Sequence, residues 1–305
     1  MEGRVMKSTG SWYEVLGQDG KKYKGRLQGK LRLEEIKESN PVTVGDRVEL
    51  LIEQEDASIT EIKPRDNHIL RQSVKKASHS QALAANVDQA LLIATIKQPR
   101  TSLGFIDRFL VSAESFRIPQ ILIFNKKDLL STEDLQRVDE LQELYCSIGI
   151  NAQVISAQLE SDVAQVKALL KNKTTLIAGH SGVGKSTLLN HLSPQVMQTV
   201  SEVSGFTDKG THTTTFTEMF VIDKDTFVID TPGIKEWGLA EMNQQEISDY
   251  FPEMRDLRLN CKFGSRCLHL TEPKCSIRLA VEGGRIALSR YDSYVSMVTG
   301  EDNRK

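Results

Sequence analysis

The first 66 residues alternate apolar and polar positions with the two-residue period of strands. Val5–Leu16, Lys21–Leu33 and Pro41–Glu55 carry this pattern, broken by Gly10, Gln18-Asp19-Gly20, Asn40-Pro41 and Gly45-Asp46. Turn residues at those breaks, with no helical stretch between the strands, predict a small β-barrel. Several small barrels share the pattern; a five-stranded oligonucleotide-binding (OB-fold) barrel fits the length. After residue 67 the period changes. Val87–Ile96 is a continuous apolar run of the kind a buried parallel strand needs, and Leu103–Phe116 follows with helical spacing. Gln120–Phe124, Ala152–Ser156 and Thr174–Ala178 read as further strands, and Thr132–Ile148 and Glu160–Leu170 as the helices between them. Strand–helix alternation predicts right-handed crossovers and a parallel α/β sheet. Thr226–Asp230 adds one more buried strand. Beyond Trp237 no strand is expected: Asn243–Arg258 reads as helix, then comes a cluster of Cys and His, then a polar tail. The expected division is 1–66, 67–236 and 237–305.

Composition narrows the function classes. Of 305 residues, 39% are hydrophobic and 26% charged, ordinary for a globular chain. The net charge of −2 excludes a protein basic throughout, so any nucleic-acid contact must come from local patches. The longest apolar run, Ala90–Ile96, falls far short of a membrane span, and Met1–Lys7 lacks the apolar core of a secretory signal. These features predict a cytoplasmic protein with no membrane partner. Four cysteines, three of them within Cys261–Cys275, point to metal binding and not to disulfides. Cys146, in the expected helix Thr132–Ile148, reads as a small core residue.

Gly179-His180-Ser181-Gly182-Val183-Gly184-Lys185-Ser186 matches the phosphate-binding loop G-x-x-x-x-G-K-[ST], set between the strand Thr174–Ala178 and the amphipathic stretch Ser186–Leu192. Backbone N–H groups of such a loop wrap phosphates, aided by the positive end of the following helix. Lys185 would reach the β- and γ-phosphates, Ser186 would ligate Mg²⁺, and Thr187 falls in the same first turn. Asp230-Thr231-Pro232-Gly233 closes another strand, where Asp230 can hold a Mg²⁺-bound water and the Gly233 N–H can sense the γ-phosphate. Asn125-Lys126-Lys127-Asp128 closes the strand Gln120–Phe124. The Asp128 carboxylate can accept from the ring N–H and the exocyclic amino group of guanine, a pair that adenine lacks. Ser156-Ala157 closes a further strand, where the Ala157 N–H can donate to guanine O6. All lie at strand C-terminal ends, where ligands of α/β sheets bind.

Near the C-terminus, Cys261, Cys267, His269 and Cys275 supply three thiolates and one imidazole, a set suited to a closed, tetrahedral, structural zinc site. Two stretches are locally basic. Lys21, Lys22, Lys24, Arg26, Lys30 and Arg32 have no acid among them and include Tyr23; Arg255, Arg258, Lys262, Arg266, Lys274 and Arg278 face only Asp256 and Glu272. Basic stripes beside aromatic rings suit RNA phosphates and bases, though each stretch alone is equally an ordinary solvated face.

In an ordinary GTPase the phosphate loop comes first and the guanine motifs last. Here residues 125–128 and 156–157 precede 179–186 and 230–233, a circular permutation. A barrel, a permuted GTPase and a Cys/His module in this order resemble the ribosome small-subunit-dependent GTPase A family over essentially the whole chain. The resemblance implies an OB-fold barrel, a circularly permuted P-loop GTPase domain and a small, mostly helical zinc-binding domain. It also implies GTP and GDP with Mg²⁺, one structural Zn²⁺, and a maturation role on the small (30S) ribosomal subunit and its rRNA, with hydrolysis stimulated by the subunit. The chain is expected to act as a monomer.

Many GTPases place a water-orienting Gln after D-x-x-G; here Ile234 stands there and cannot polarise water. The stretch Lys209–Thr215 lies where the first switch is expected. Thr214, with Thr213 as its rival, would close on Mg²⁺ and the γ-phosphate. His212 is the best-placed polar group for the water, with a solvated loop histidine as the alternative; the resemblance implies the catalytic role. Two other readings stand beside this one: a P-loop kinase or ATPase acting on a small molecule, and an RNA-binding scaffold with a structural nucleotide.

Overall fold

The computed structural model describes residues 1–10, 12–28, 41–53, 56–72, 80–193, 217–230 and 242–301. It comprises two compact units, the first formed by Met1–Ala90, Glu160–Ala178 and Ser186–Glu236. Its N-terminal part is a barrel of β1 (Glu2–Ser8), β2 (Tyr13–Gly17), β3 (Lys22–Leu27), β4 (Arg47–Glu53) and β5 (Asp56–Ile62). Strands β1, β2 and β3 pair antiparallel in sequence, β3 pairs parallel with β5, β5 antiparallel with β4, and β4 closes back on β1. Along β2 the alternation is plain: Tyr13 and Val15 are buried while Glu14 and Leu16 are half-buried. They meet Val5, Val42, Val48, Leu50, Ala57 and Ile59 in the barrel core. This is the expected five-stranded architecture.

The barrel is joined to the rest of its unit by strand pairing and by polar contacts. A hairpin of β6 (His68–Gln72) and β7 (Ser80–Ala85) lies against it, with Thr43 Oγ1 donating to Ala82 O at 2.9 Å. Gly45, at φ 92°, would carry a Cβ only 2.1 Å from Ala85 O, so no larger residue fits this crossing. Strand β1 also pairs with β12 (Glu218–Asp223), bringing Lys7 Nζ within 3.0 Å of Glu218. In turn β12 pairs antiparallel with β13 (Thr226–Asp230), and β13 parallel with β11 (Thr174–Gly179). The Arg4 guanidinium donates to Thr174 Oγ1 at 3.1 Å and lies 4.5 Å from the Phe227 ring centre. Of these strands, β6, β7 and β12 are not apparent from the sequence pattern; β12 has exposed and buried positions intermixed.

The second unit is formed by Leu91–Leu159, Gly179–Lys185 and Trp237–Lys305. Most of β8 (Gln89–Ala94) belongs to it, followed by α1 (Leu103–Ser115), β9 (Gln120–Phe124), α2 (Thr132–Ser147) and β10 (Asn151–Val154). Strands β9 and β10 are parallel, as expected. Ser102 caps α1, and Ser131 with Asp134 forms a capping box on α2. Cys146 is exposed, against the expectation of a core position. On α2 only Val138 and Tyr145 are buried, and Cys146, one residue past Tyr145, turns off that face.

The C-terminal part departs further from the pattern. Asn243–Arg258 is not one helix. A 3₁₀ turn, Ile247–Tyr250, gives way to the four-residue α3 (Pro252–Arg255) and a second 3₁₀ turn, Leu257–Asn260. Pro252 supplies no N–H and forces Phe251 into an extended conformation, φ −100° and ψ 108°. The expected polar tail contains α4 (Ser276–Glu282) and α5 (Leu288–Thr299). The buried face of α5 includes Arg290, Ser293 and Ser296, which hides its amphipathic pattern.

Arg290 is 2% exposed and reaches two carboxylates: Asp107 of α1 at 2.5 Å and Glu253 of α3 at 2.7 Å. Tyr145 donates to the same Asp107 oxygen at 2.8 Å. Burial works against the Arg290 cation, but the two carboxylates outweigh it and raise its pKa. Such a group must be fully paired, since a lone buried charge costs several kcal/mol, roughly 3–5.

Candidate active site and metal centre

Strand β11 runs into the loop Gly179–Gly184, and the helix Lys185–Leu192 begins at once. Leu188, Leu189 and Leu192 anchor that helix by their burial. Within the loop Gly182 and Gly184 adopt φ 84° and 95°, values that disfavour any side chain. A Cβ on Gly184 would lie 2.3 Å from Asn125 Nδ2, so the glycine admits the guanine-loop residue to the phosphate loop. The His180 ring packs on Phe105 of α1, ring centres 3.9 Å apart. Lys185, Ser186 and Thr187 occupy the first helical turn.

Asn125 is 4% exposed and joins three motifs that are distant in sequence. It closes β9; its Nδ2 donates to Val183 O at 2.8 Å, and its Oδ1 accepts from Ala157 N at 2.9 Å. Next to it, Ser156 Oγ donates to Asp128 Oδ1 at 2.5 Å and accepts from Gln158 N at 3.2 Å. The exposed Asp128 carboxylate is thereby fixed by a buried hydroxyl. Lys126, at φ 68°, and Lys127 continue the loop, with Lys127 N donating to Ile155 O at 3.0 Å. This arrangement can present a carboxylate to one edge of a planar base; the Ala157 N–H, expected from the sequence to serve guanine O6, is directed instead at Asn125 Oδ1. In the other unit, Asp230 ends β13 in register with Ile177 of β11. Gly233, Ile234 and the stretch Lys209–Thr215 with His212, Thr213 and Thr214 lie outside the described residues.

Three comparisons bear on these features. The chain matches the model of the RsgA N-terminal domain over residues 2–59 and that of the RsgA GTPase over residues 62–240. The chain belongs to the RsgA GTPase family. It is 46% identical over 306 residues to the "small ribosomal subunit biogenesis GTPase RsgA" of Bacteroides fragilis, covering 100% of this chain and 98% of that one. The relative of the same name from Cytophaga hutchinsonii is 43% identical over 308 residues, covering all of both chains. Among solved structures, YjeQ from Thermotoga maritima aligns with a TM-score of 0.78 at 33% identity, covering 100% and 99% of the two chains. YloQ, described as a circularly permuted GTPase, aligns with a TM-score of 0.76 at 31% identity, covering 100% and 96%. The protein is thus a circularly permuted, GTP-hydrolysing enzyme, and a guanine nucleotide with Mg²⁺ is what its family uses.

The chain also carries the expected Cys/His cluster. The ligand atoms of Cys261, Cys267, His269 and Cys275 all lie within 4.8 Å of one another, and all four residues are buried. Cys261 Sγ is 3.5 Å from His269 Nδ1 and 3.8 Å from Cys275 Sγ, and His269 Nδ1 is 3.3 Å from Cys275 Sγ. A tetrahedron with Zn–S bonds of about 2.3 Å has S···S edges of about 3.8 Å, so the set is compatible with a structural zinc ion. Burial lowers the His269 pKa to about 4, which keeps the imidazole neutral and ready to ligate. The same burial pushes the Cys267 thiol up to about 12 and raises Cys275, so thiolates here call for a cation. Glu272 accepts from Leu268, Leu270 and Thr271 N–H groups, and Tyr291 and Tyr294 donate to the His269 and Leu268 carbonyls at 2.7 and 2.8 Å. These contacts order the loop that holds the ligands.

The basic stretches are partly neutralised. Lys22 pairs with Glu14 across the sheet at 2.6 Å. Arg26 and Lys24 lie 3.5 and 4.6 Å from the Trp12 ring centre, an aromatic contact not singled out in the sequence. Arg255 pairs with Glu114, and Arg258 with Asp249 at 2.5 Å, leaving Lys262, Arg266 and Lys274 as the exposed bases around the cluster. Lys30 and Arg32 lie outside the described residues. No helix among the described residues is long and apolar enough to cross a membrane.

Proposed function

We propose that this RsgA-family enzyme hydrolyses GTP as a maturation factor of the small ribosomal subunit, and that the subunit stimulates hydrolysis. The carrying observation is the Asn125 junction: one buried amide holds together the guanine loop, Ala157 and the phosphate loop, although the permuted chain separates them. Asp128 would read the guanine ring N–H and amino group; the Ala157 N–H would reach O6 only by sharing its proton with Asn125 Oδ1. Gly179–Gly184 with Lys185 would hold the phosphates, and Ser186, Thr187 and Thr214 would act around Mg²⁺, with Asp230 holding a metal-bound water. The small-subunit role is supported by the names of relatives matched end to end.

The barrel (1–66), with Trp12, Lys24 and Arg26, and the zinc module (237–305), with Lys262, Arg266 and Lys274, would contact rRNA. The Cys3His cluster would hold one structural Zn²⁺. The protein would act as a cytoplasmic monomer. Because Ile234 offers no polar atom to the attacking water, free enzyme should turn over slowly. Subunit binding should order Lys209–Thr215 and bring His212 to the γ-phosphate.

Phosphate release from GTP, measured with and without purified small subunits, tests this reading. Stimulation of several orders of magnitude, about 10³–10⁵ as partners give in other GTPases, is expected for wild type and should be largely lost in His212→Ala at unchanged GTP affinity. Equal stimulated rates would move the water to another group; no stimulation of wild type would refute the subunit-gated reading. Competition by ATP as strong as by GTP would favour the kinase or ATPase alternative.

A further inference from the structure

Between β8 and α1 the chain makes a tight turn that belongs to no recognised nucleotide motif. Thr95 and Thr101, both buried, close it. Thr101 N donates to Thr95 O at 2.7 Å, Thr101 Oγ1 accepts from Thr95 N at 3.1 Å, and Thr95 Oγ1 donates to Pro99 O. Gln98 is held at φ 52°, a left-handed conformation that a side chain of this kind seldom adopts. Three contacts lead outward from this turn. Lys126 Nζ donates to Gln98 O at 2.5 Å, fixing a residue of the guanine loop. Pro99 lies against the phosphate loop: a Cβ on Gly182 would be 3.4 Å from Pro99 Cδ. Lys97 Nζ pairs with Asp134 Oδ2 at 2.6 Å, at the capping box of α2, the helix that follows the guanine loop.

We propose that the turn Thr95–Thr101 is a positioning element for the guanine nucleotide, a clamp that fixes the Asn125–Asp128 loop and the phosphate loop to one another through the Gln98 carbonyl and Pro99. Asn125 bridges these two loops from the buried side; the turn bridges them from the exposed side, where Gln98 and Pro99 face solvent. A ligand held by both loops leaves only when they separate, so the clamp acts on the release rate. Lys126 can serve two partners, because an ammonium group has three donors and Gln98 O takes one.

The inference rests on the guanine-pocket assignment above, and the experiment separates the two. Release and association of a fluorescent GDP would be followed by stopped flow in wild type, Thr101→Val, Thr101→Ser, Lys126→Met and Asp128→Ala. Thr101→Val keeps the side-chain shape and removes the hydroxyl; Lys126→Met keeps the apolar stem and removes the anchor. Both should speed GDP release about tenfold with association nearly unchanged and guanine-over-adenine preference intact, the size expected for one hydrogen bond. Thr101→Ser, which restores the hydroxyl, should return to the wild-type rate. Wild-type release from Lys126→Met overturns the clamp even if Thr101→Val does not fold, because Lys126 is half-exposed and outside the core. Fast release from Thr101→Ser would also overturn it. Unchanged guanine preference in Asp128→Ala would overturn the pocket and the clamp together.

Discussion

The guanine loop and the Cys3His cluster are both built from a few polar side chains on short loops, but they are held in opposite ways. Around Asn125 every strong contact is between protein groups: Val183 O, Ala157 N, and the Ser156–Asp128 pair. Such a site is satisfied before any ligand arrives, and nucleotide adds contacts to a finished frame. Around His269, three thiols and an imidazole crowd within 4.8 Å of one another, with burial holding the Cys267 and Cys275 thiols protonated. Backbone N–H groups of His269, Ile277 and Arg278 reach the Cys267 and Cys275 sulfurs but do not offset that burial. The first should survive loss of its ligand, and the second should not.

The largest effect expected from this contrast is on the module around the cluster. A strong chelator, or Cys267→Ser, should remove the bound zinc and abolish exchange protection of the amides in Cys261–Cys275, read by hydrogen-exchange mass spectrometry; a metal-free but fully protected module would contradict it. The pH dependence has a definite sign. With the Cys267 pKa near 12 in the free site, zinc must displace thiol protons at neutral pH, whereas His269, with a pKa of about 4, has none to lose. Zinc affinity should therefore rise with pH between 6 and 8, and a competition titration showing no slope would contradict the thiolate assignment.

Next in size is the buried Arg290. Arg290→Ala strands Asp107 and Glu253 in the interior and should cost roughly 3–5 kcal/mol in urea unfolding, whereas Arg290→Ala combined with Asp107→Asn should cost less than the sum of the two single changes. Additive costs would mean that the two groups do not act as a pair. In the guanine loop, Asp128→Ala should weaken GTP by about 2–4 kcal/mol and erase its preference over ATP, measured by equilibrium titration of each nucleotide, while leaving the melting temperature near wild type. The smallest effect belongs to the barrel surface. Lys24→Glu should raise the subunit concentration needed for half-maximal stimulation a few-fold, more at low salt, without changing the slow basal rate. Insensitivity to salt would remove Lys24 from the RNA contact.

What could be read from the sequence, and what could not, follows from how far apart the interacting residues lie. The phosphate loop, Asn125–Asp128 and the Cys/His spacing were legible because each does its chemistry within a few residues. The barrel was legible from alternation such as that of Tyr13 to Gly17. The Asn125–Val183 bond spans 58 residues, and nothing local announces it. Helix α5 is hard to see in the sequence because Arg290, Ser293 and Ser296 share its buried face with Tyr294, Met297 and Val298. Asp107, a carboxylate inside the apolar stretch Leu103–Phe116, was the available signal for that pairing. Asn243–Arg258 has helical spacing, but Pro252 divides it. The turn Thr95–Thr101 lacks any motif; only its contacts with Lys126 and Gly182 give it meaning.

The contrast between the two sites is tested most directly by the GDP affinity of zinc-depleted protein. Protein stripped by a strong chelator would be titrated with fluorescent GDP beside the zinc-loaded form, with zinc content measured on both samples. A self-satisfied guanine loop predicts affinities that agree within about threefold, because the Asn125 and Ser156 hydrogen bonds do not pass through the metal. Loss of GDP binding in step with loss of zinc would contradict it, and would make the Cys3His centre part of the nucleotide site's own support.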